Sequence, residues 1–125
     1  MMSRYSEQII DKKTVLAKAF FNVAKKIDLS QAQLAAILGV SLPTISRLKT
    51  KLKLDPNSKQ GELALLLIKL YIVLYDLNGG DLDWIHHFLN SKNQVTGGIP
   101  IKQIETAYGL VRVLQVVKAI QNKSF

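Results

Sequence analysis

Polar and basic side chains recur between Ser41 and Thr50, and their types are those that contact nucleic acid. Arg47 is the strongest candidate for a base contact, because its planar guanidinium can donate two parallel hydrogen bonds to the edge of a guanine. Gln31, Thr44 and Lys49 are better suited to phosphate oxygens, which fix the orientation of a protein on DNA.

The positive charge of the chain is concentrated in the same half. The whole chain has 17 Lys and Arg against 9 Asp and Glu, a formal net charge of +8. Residues 1–61 carry 11 basic and 4 acidic side chains, whereas residues 62–125 carry 6 and 5. The first half is therefore the candidate for binding a polyanion. The alternative is that its lysines are simply the solvent-exposed residues on the outer faces of a helical domain.

Two helices joined by a tight turn are predicted to hold these side chains. Ser30 and Gln33 have the spacing of a capping box, which starts a helix. Gly39 is typical of the left-handed residue that ends one. The second helix has Pro43 in its first turn, where the missing N–H costs nothing, and is predicted to end near Lys51.

Apolar periodicity predicts a helix before this pair, which Asp11 or Thr14 would cap. The break at Asp55–Gly61 reads as a linker, and the apolar run Leu63–Tyr75 after it is too short for the ~20 residues that span a bilayer. Further helices are predicted over Asp83–Leu89, Ile101–Ala107 and Gly109–Gln121. Each helix is predicted from a stripe of apolar residues along one face. The stripe of the first helix is Val15, Leu16, Ala19, Phe20, Val23, Ala24 and Ile27, and that of the last helix is Leu110, Val113, Leu114, Val117 and Ile120.

No pattern alternates with period two for long enough to require a sheet, so we expect an all-α fold. The expected architecture is an N-terminal helix-turn-helix bundle over residues 1–58, packed against or linked to a C-terminal helical domain over residues 59–125. The steep crossing of the two helices of the turn requires a small residue, and Ala35 is at that place. Leu34, Leu38, Val40, Ile45 and Leu48 are expected to fill the wedge between them.

The residue types of the chain do not favour a catalytic site or a metal site. The absence of cysteine excludes a disulfide scaffold, a thiolate zinc site and a cysteine nucleophile. His86 and His87 are adjacent, so on a helix they point about 100° apart and cannot face one metal ion. We therefore expect a protein that is not an enzyme and has no cofactor, metal or small-molecule substrate. The charged N-terminus lacks an apolar signal core, which predicts a cytoplasmic location without a membrane anchor.

The wording LSQAQLAAILGVSLPTISRL, which begins at Leu29, resembles the helix-turn-helix of the Xre and phage-repressor superfamily. The resemblance implies a recognition helix, about Leu42 to Lys51, that lies in the DNA major groove. The residues that it predicts to contact DNA are Gln31, Ser41, Pro43, Thr44, Ser46, Arg47, Lys49 and Thr50. Two alternatives remain open for this segment. In the first, the segment is an ordinary helical hairpin whose polar face is exposed to solvent. In the second, it serves mainly for packing and dimerisation, as in some antitoxins.

The wording WIHHFLNSKNQVTGGIPIKQIETAYGLVRVLQVV, which begins at Trp84, resembles the antitoxin and toxin-binding domain of the Xre/MbcA/ParS family. The resemblance implies a partner toxin of the RES type, which attacks NAD, and a homodimer. The residues that carry it are Trp84 with Leu89, Asn93, Gly98 with Pro100, Thr106, and Gly109 with Val113 and Leu114. Trp84, Gly98, Pro100, Thr106 and Gly109 are expected to be structural, with Trp84 in the shared core.

The surface that faces the toxin is expected to consist of polar residues of the loop and of the last helix. Many family members continue with a glycine-marked extension after that helix, whereas this chain closes on a short basic tail ending in Phe125. One hypothesis is that this tail enters a cleft of the toxin, and deletion of residues 121–125 tests it. The predicted toxin-contact residues are Gln94, Arg112, Lys118, Gln121, Asn122, Lys123 and Phe125.

Two functions are compatible with these patterns. In the first, the chain is an antitoxin that binds and occludes the active site of a toxin and represses their shared operon. In the second, it is a stand-alone repressor whose C-terminal half only dimerises. The motifs between Trp84 and Gly109 favour the antitoxin.

Overall fold

The computed structural model describes residues 11–123, and they form seven helices. The first three make up the helix-turn-helix half: α1 (Lys12–Lys26), α2 (Gln31–Leu38) and α3 (Leu42–Lys51). The other four are α4 (Lys59–Leu77), α5 (Leu82–Asn90), α6 (Pro100–Gln103) and α7 (Ala107–Lys123). Within the described residues the only β pairing is an isolated bridge between Asn93 and Gly98. The prediction of an all-α fold is confirmed.

The N-terminal helices begin at the caps that the sequence predicts. The Asp11 carboxylate accepts a hydrogen bond from the Lys13 N–H at 3.0 Å, so Asp11 caps α1. Ser30 and Gln33 form both bonds of the capping box, at 2.8 and 3.1 Å. These bonds satisfy N–H groups that the first turn of a helix leaves without partners.

A side-chain contact ties the start of α1 to the segment after α3. The Lys53 ammonium donates to the Asp11 carboxylate, and the neighbouring Leu54 N–H donates to the Lys13 carbonyl at 3.1 Å. The pKa of Asp11 is lowered from 3.8 to about 2, mainly by the hydrogen bond from Lys53, with a contribution from the Lys13 N–H.

We expect Lys53→Gln to raise the pKa of Asp11 towards its ordinary value, because the substitution removes the cation. The folded pKa lies below the unfolded one, so this contact stabilises the fold above about pH 4 and stops doing so as the pH falls through about 2. A pH titration of the Asp11 carboxyl carbon by NMR, in the parent and in Lys53→Gln, measures the shift. Equal pKa values in the two proteins would show that Lys53 does not hold this carboxylate.

α4 is the helix on which both halves pack. It contacts α1 and α2 on the N-terminal side and α5 and α7 on the C-terminal side. Its buried side chains, among them Leu67, Leu70 and Leu74, belong to one continuous apolar cluster that extends from α1 to α7. The two halves therefore share a core across the described residues.

Several predicted helix limits are wrong. α4 begins at Lys59, so Gly61 lies in its first turn and the predicted linker ends earlier. α5 extends one residue beyond the predicted helix at each end. The predicted helix Ile101–Ala107 is interrupted, because α6 covers only Pro100–Gln103 and α7 already starts at Ala107. The chain breaks between them because Thr106 caps the next helix instead of continuing the first.

Two members of the predicted apolar stripes are on the surface. Val15 is 51% exposed at the start of α1, and Ile120 is 40% exposed near the end of α7. Both lie towards helix ends, beyond the neighbours that cover the middle of each stripe. Within the described residues, no single helix has the length and hydropathy to cross a bilayer, although α4 and α5, bent by 120°, meet that criterion when taken together.

Candidate DNA-contact and toxin-contact surfaces

The turn between α2 and α3 is built around Gly39. Gly39 has φ +67°, and its N–H donates to the Ala36 carbonyl at 3.2 Å. The Val40 N–H donates to the Ala35 carbonyl at 3.0 Å, so both groups close the end of α2. Ala35 is buried, and Ser41 caps α3 by accepting from the Thr44 N–H at 3.3 Å. These features of the predicted helix-turn-helix are confirmed.

Most of the predicted wedge residues are buried as expected. Leu34, Leu38 and Ile45 are at most 3% exposed, whereas Val40 and Leu48 are partly buried against the same cluster. This packing sets the crossing of α2 and α3 and leaves one face of α3 free. The exposed face is therefore fixed by the apolar face opposite to it.

Hydrogen bonds along α3 position the guanidinium of Arg47. Its Nη2 donates to Thr44 Oγ1 at 3.1 Å, and the Thr44 and Ser41 hydroxyls lie 2.9 Å apart. Arg47 is exposed, and Thr44 is half-buried. This chain of contacts from the cap to the guanidinium restricts the side chain to the outer face, and the guanidinium has further donors for a base edge.

The other predicted DNA-contact residues lie on the surface of the same unit. The Ser46 hydroxyl donates to Gln31 Oε1 at 3.5 Å, which joins the start of α2 to the middle of α3. The Thr50 hydroxyl donates to the Ser46 carbonyl at 3.0 Å. Gln31, Pro43, Ser46, Lys49 and Thr50 are all exposed.

The predicted toxin-contact residues do not form a single patch. Arg112 and Lys123 are three turns apart and share one face of α7, whereas Lys118 and Asn122 share another about 100° away. Gln121 is half-buried, and Gln94 lies in the loop before α6. Phe125 lies outside the described residues. The helix geometry therefore separates the predicted set into two faces.

The loop before α6 is held in one conformation by its own hydrogen bonds. Asn93 Oδ1 accepts from the Val95 and Thr96 N–H groups at 2.8 and 3.0 Å. The Asn93 N–H donates to the Gly98 carbonyl at 2.8 Å, and Thr96 is buried. As a result Val95 lies at the surface with 60% of its area exposed.

Gln103 connects this loop to the last helix. Its Nε2 donates to the Thr96 carbonyl at 2.7 Å, and its own carbonyl accepts from the Thr106 hydroxyl at 3.4 Å. The Gly109 N–H in turn donates to Thr106 Oγ1 at 3.0 Å. Thr106 thus connects the end of α6 to the first turn of α7, and Pro100 is buried at the start of α6.

Close packing explains three of the glycines. A Cβ on Gly109 would lie 1.8 Å from the Gln103 carbonyl oxygen, and one on Gly61 would lie 1.9 Å from the Asp55 carbonyl oxygen. A Cβ on Gly98 would meet only the Gln103 side chain, at 3.2 Å. The structural roles predicted for Gly98 and Gly109 agree with these contacts.

The prediction that Trp84 lies in the core is wrong. Its side chain is 39% exposed and stacks on Phe88 with ring centroids 5.5 Å apart. α5 buries Ile85 and Leu89 instead, and the position of Trp84 is about 100° around the helix from Ile85.

Sequence reasoning missed the roles of Gln103 and Gly61. No local pattern marks Gln103, since both its contacts depend on how the loop and α7 approach α6. Gly61 falls in the predicted linker, whereas in the structure it is the third residue of α4 and its N–H donates to the cap hydroxyl of Ser58 at 3.0 Å. Within the described residues, no three His, Cys, Asp or Glu side chains are grouped to hold a metal ion.

Two family profiles match consecutive parts of the chain. Residues 10–69 match the sequence profile of the antitoxin Xre-like helix-turn-helix domain. Residues 71–123 match that of the antitoxin Xre/MbcA/ParS C-terminal toxin-binding domain. No curated protein is similar enough in sequence to be matched to the chain.

The fold and its exposed recognition helix place this protein in the class of DNA-binding helix-turn-helix regulators. More narrowly, the chain belongs to the Xre/MbcA/ParS family of antitoxins. The boundary between the two matched regions falls at residue 70, inside α4, which agrees with the shared core.

Proposed function

We propose that this antitoxin neutralises a RES-type toxin that attacks NAD, by binding it and covering its active site, and represses its own operon through the helix-turn-helix. The match of residues 71–123 to a toxin-binding domain carries the first part of the proposal. The hydrogen-bonded chain from Ser41 through Thr44 to Arg47 supports the second, because it holds a bidentate donor on the outer face of α3. Both activities are binding activities, so the protein is proposed not to be an enzyme.

A homodimer is part of this proposal. Helix-turn-helix proteins bind DNA as dimers whose two recognition helices reach successive major grooves. An apolar groove of about 300 Å³ between α1 and α4 supports self-association, since Val15 and Leu65, which line it, are 51% and 37% exposed. Light scattering on the free antitoxin measures its mass directly. We propose that the dimer acts in the cytoplasm, where operator DNA is accessible.

Co-expression with the product of the adjacent gene, which the proposal expects to be a RES-type toxin, tests the proposal. We expect the parent antitoxin to restore growth, preserve the NAD content of the cells and co-purify with the toxin. Arg112→Glu combined with Lys123→Glu should abolish rescue while operator binding persists, because both residues lie on one face of α7. Arg47→Ala is the matched control, which should keep rescue and lose repression.

Two results would contradict parts of this proposal. If the parent neither rescues growth nor co-purifies with the toxin but binds its operator, the chain is a stand-alone repressor whose C-terminal half only dimerises. If deletion of residues 121–125 leaves neutralisation undiminished, the C-terminal tail does not enter the toxin active site.

A further inference from the structure

A basic cleft opens between α1, α2 and the end of α3. Its volume is about 710 Å³, and α1 lines it with Lys18, Asn22 and Lys25. α3 adds Lys49, and Gln31 stands at the start of α2. The remaining lining consists of Asp28 in the turn after α1 and the apolar side chains of Phe21, Ala24, Leu29, Leu34 and Leu52.

The charges around the cleft leave it positive. Among residues 11–123, the ion pairs involve Lys53, His86 and Lys102, and none involves Lys18, Lys25 or Lys49. Asp28, the one carboxylate of the lining, lies 3.8 Å from the imidazole of His86 on α5. Three ammonium groups therefore surround the cleft without a carboxylate partner on the described chain.

The cleft adjoins the DNA-contact surface. Gln31 and Lys49 belong to both, and Gln31 accepts a hydrogen bond from Ser46 on the recognition helix. The start of α2, with the positive end of its dipole, also lies at the rim. An anion in the cleft would thus be bound at the same time as bases in front of α3.

We propose that this cleft binds the phosphodiester backbone beside the bases read by α3, with Lys18 and Lys25 of α1 as phosphate ligands. The inference rests on the proposed DNA binding and extends the DNA-contact surface from the helix-turn-helix to the helix before it. The cleft is open to solvent and, at about 710 Å³, has room for more than one phosphate group. Because phosphate contacts carry no sequence information, their loss should weaken binding to every duplex alike.

The test compares Lys18→Gln/Lys25→Gln with the matched control Lys69→Gln/Lys92→Gln. All four lysines are exposed, so neither pair of substitutions disturbs the core, and both pairs change the net charge equally. Binding to the operator and to an unrelated duplex of equal length is measured by fluorescence anisotropy between about 50 and about 200 mM salt, the range over which phosphate contacts change affinity most visibly.

We expect the cleft variant to reduce the slope of log affinity against log salt by about 0.9 for each lysine, with both duplexes. Over that fourfold salt range the parent should therefore lose roughly 12-fold more affinity than the cleft variant. The control should keep the parent slope. Inorganic phosphate should displace DNA no better than chloride at equal ionic strength, because the site takes a strand.

Three results would overturn the inference. If the cleft and control variants give the same slope, the cleft contacts no phosphates, although the proposed DNA binding stands. If the parent binds neither duplex even at the lowest salt, the proposed DNA binding fails together with the inference. If the cleft variant binds DNA like the parent but loses the toxin, the cleft is occupied by an acidic protein surface.

Discussion

Replacing Arg47 by alanine is expected to weaken binding of the operator roughly 5- to 150-fold, or about 1–3 kcal/mol, and to relax the preference at one base pair. The reason is geometric, because alanine removes the only guanidinium on α3, which the Thr44 hydroxyl holds at 3.1 Å on the outer face. Fold stability should change little, since Arg47 is exposed. Anisotropy titrations against the operator, and against variants substituted at single base pairs, measure both effects.

Arg47→Lys is the informative control for this experiment. Lysine keeps the charge but lacks the planar pair of donors, so the salt dependence should persist while base discrimination falls. If both variants bind the operator as tightly as the parent, Arg47 reads no base, and α3 serves packing or dimerisation.

The second large effect is expected from Gly109→Ala, which should destabilise the fold by about 2–3 kcal/mol or more. The new Cβ would lie 1.8 Å from the Gln103 carbonyl oxygen and 3.0 Å from Thr106 Oγ1. A backbone carbonyl cannot turn aside as a side chain can, so α6 and α7 must separate. The gain in helix propensity, about 1 kcal/mol, is too small to compensate.

Urea denaturation followed by circular dichroism measures this loss of stability. Gly98→Ala is the matched control, because its Cβ would meet only the Gln103 side chain, at 3.2 Å. We expect it to cost clearly less than Gly109→Ala. Equal midpoints for Gly109→Ala and the parent would show that the close approach of α6 to α7 is not required.

The helix-turn-helix could be predicted almost completely from the sequence, because its determinants are local. Ser30 and Gln33 cap α2 within four residues, Gly39 ends it, and Ser41 starts the next helix. Each of these signals acts through hydrogen bonds or backbone angles of neighbouring residues, so it does not depend on the remainder of the chain. The exposed face of α3 then follows from helical periodicity.

The C-terminal half was predicted less well, because its contacts join residues that no local pattern connects. Trp84 was assigned to the core on its size, but α5 turns Ile85 inward instead. Polarity alone does not predict a common surface, since helix geometry distributes Arg112, Lys123, Lys118 and Asn122 over two faces of α7. Whether either face binds the toxin is a prediction for the co-expression experiment.

By itself, the sequence determined an all-α chain, a positively charged first half and a helix-turn-helix with its recognition face. Tertiary structure alone decided that α4 joins the two halves in one core, that Gly109 must lie against the Gln103 carbonyl, and that Lys18, Lys25 and Lys49 line one cleft. The physical reason is the distance along the chain over which each interaction acts. Caps, turns and periodicity act over a few residues along the chain, whereas a cleft and a close approach depend on how distant helices pack.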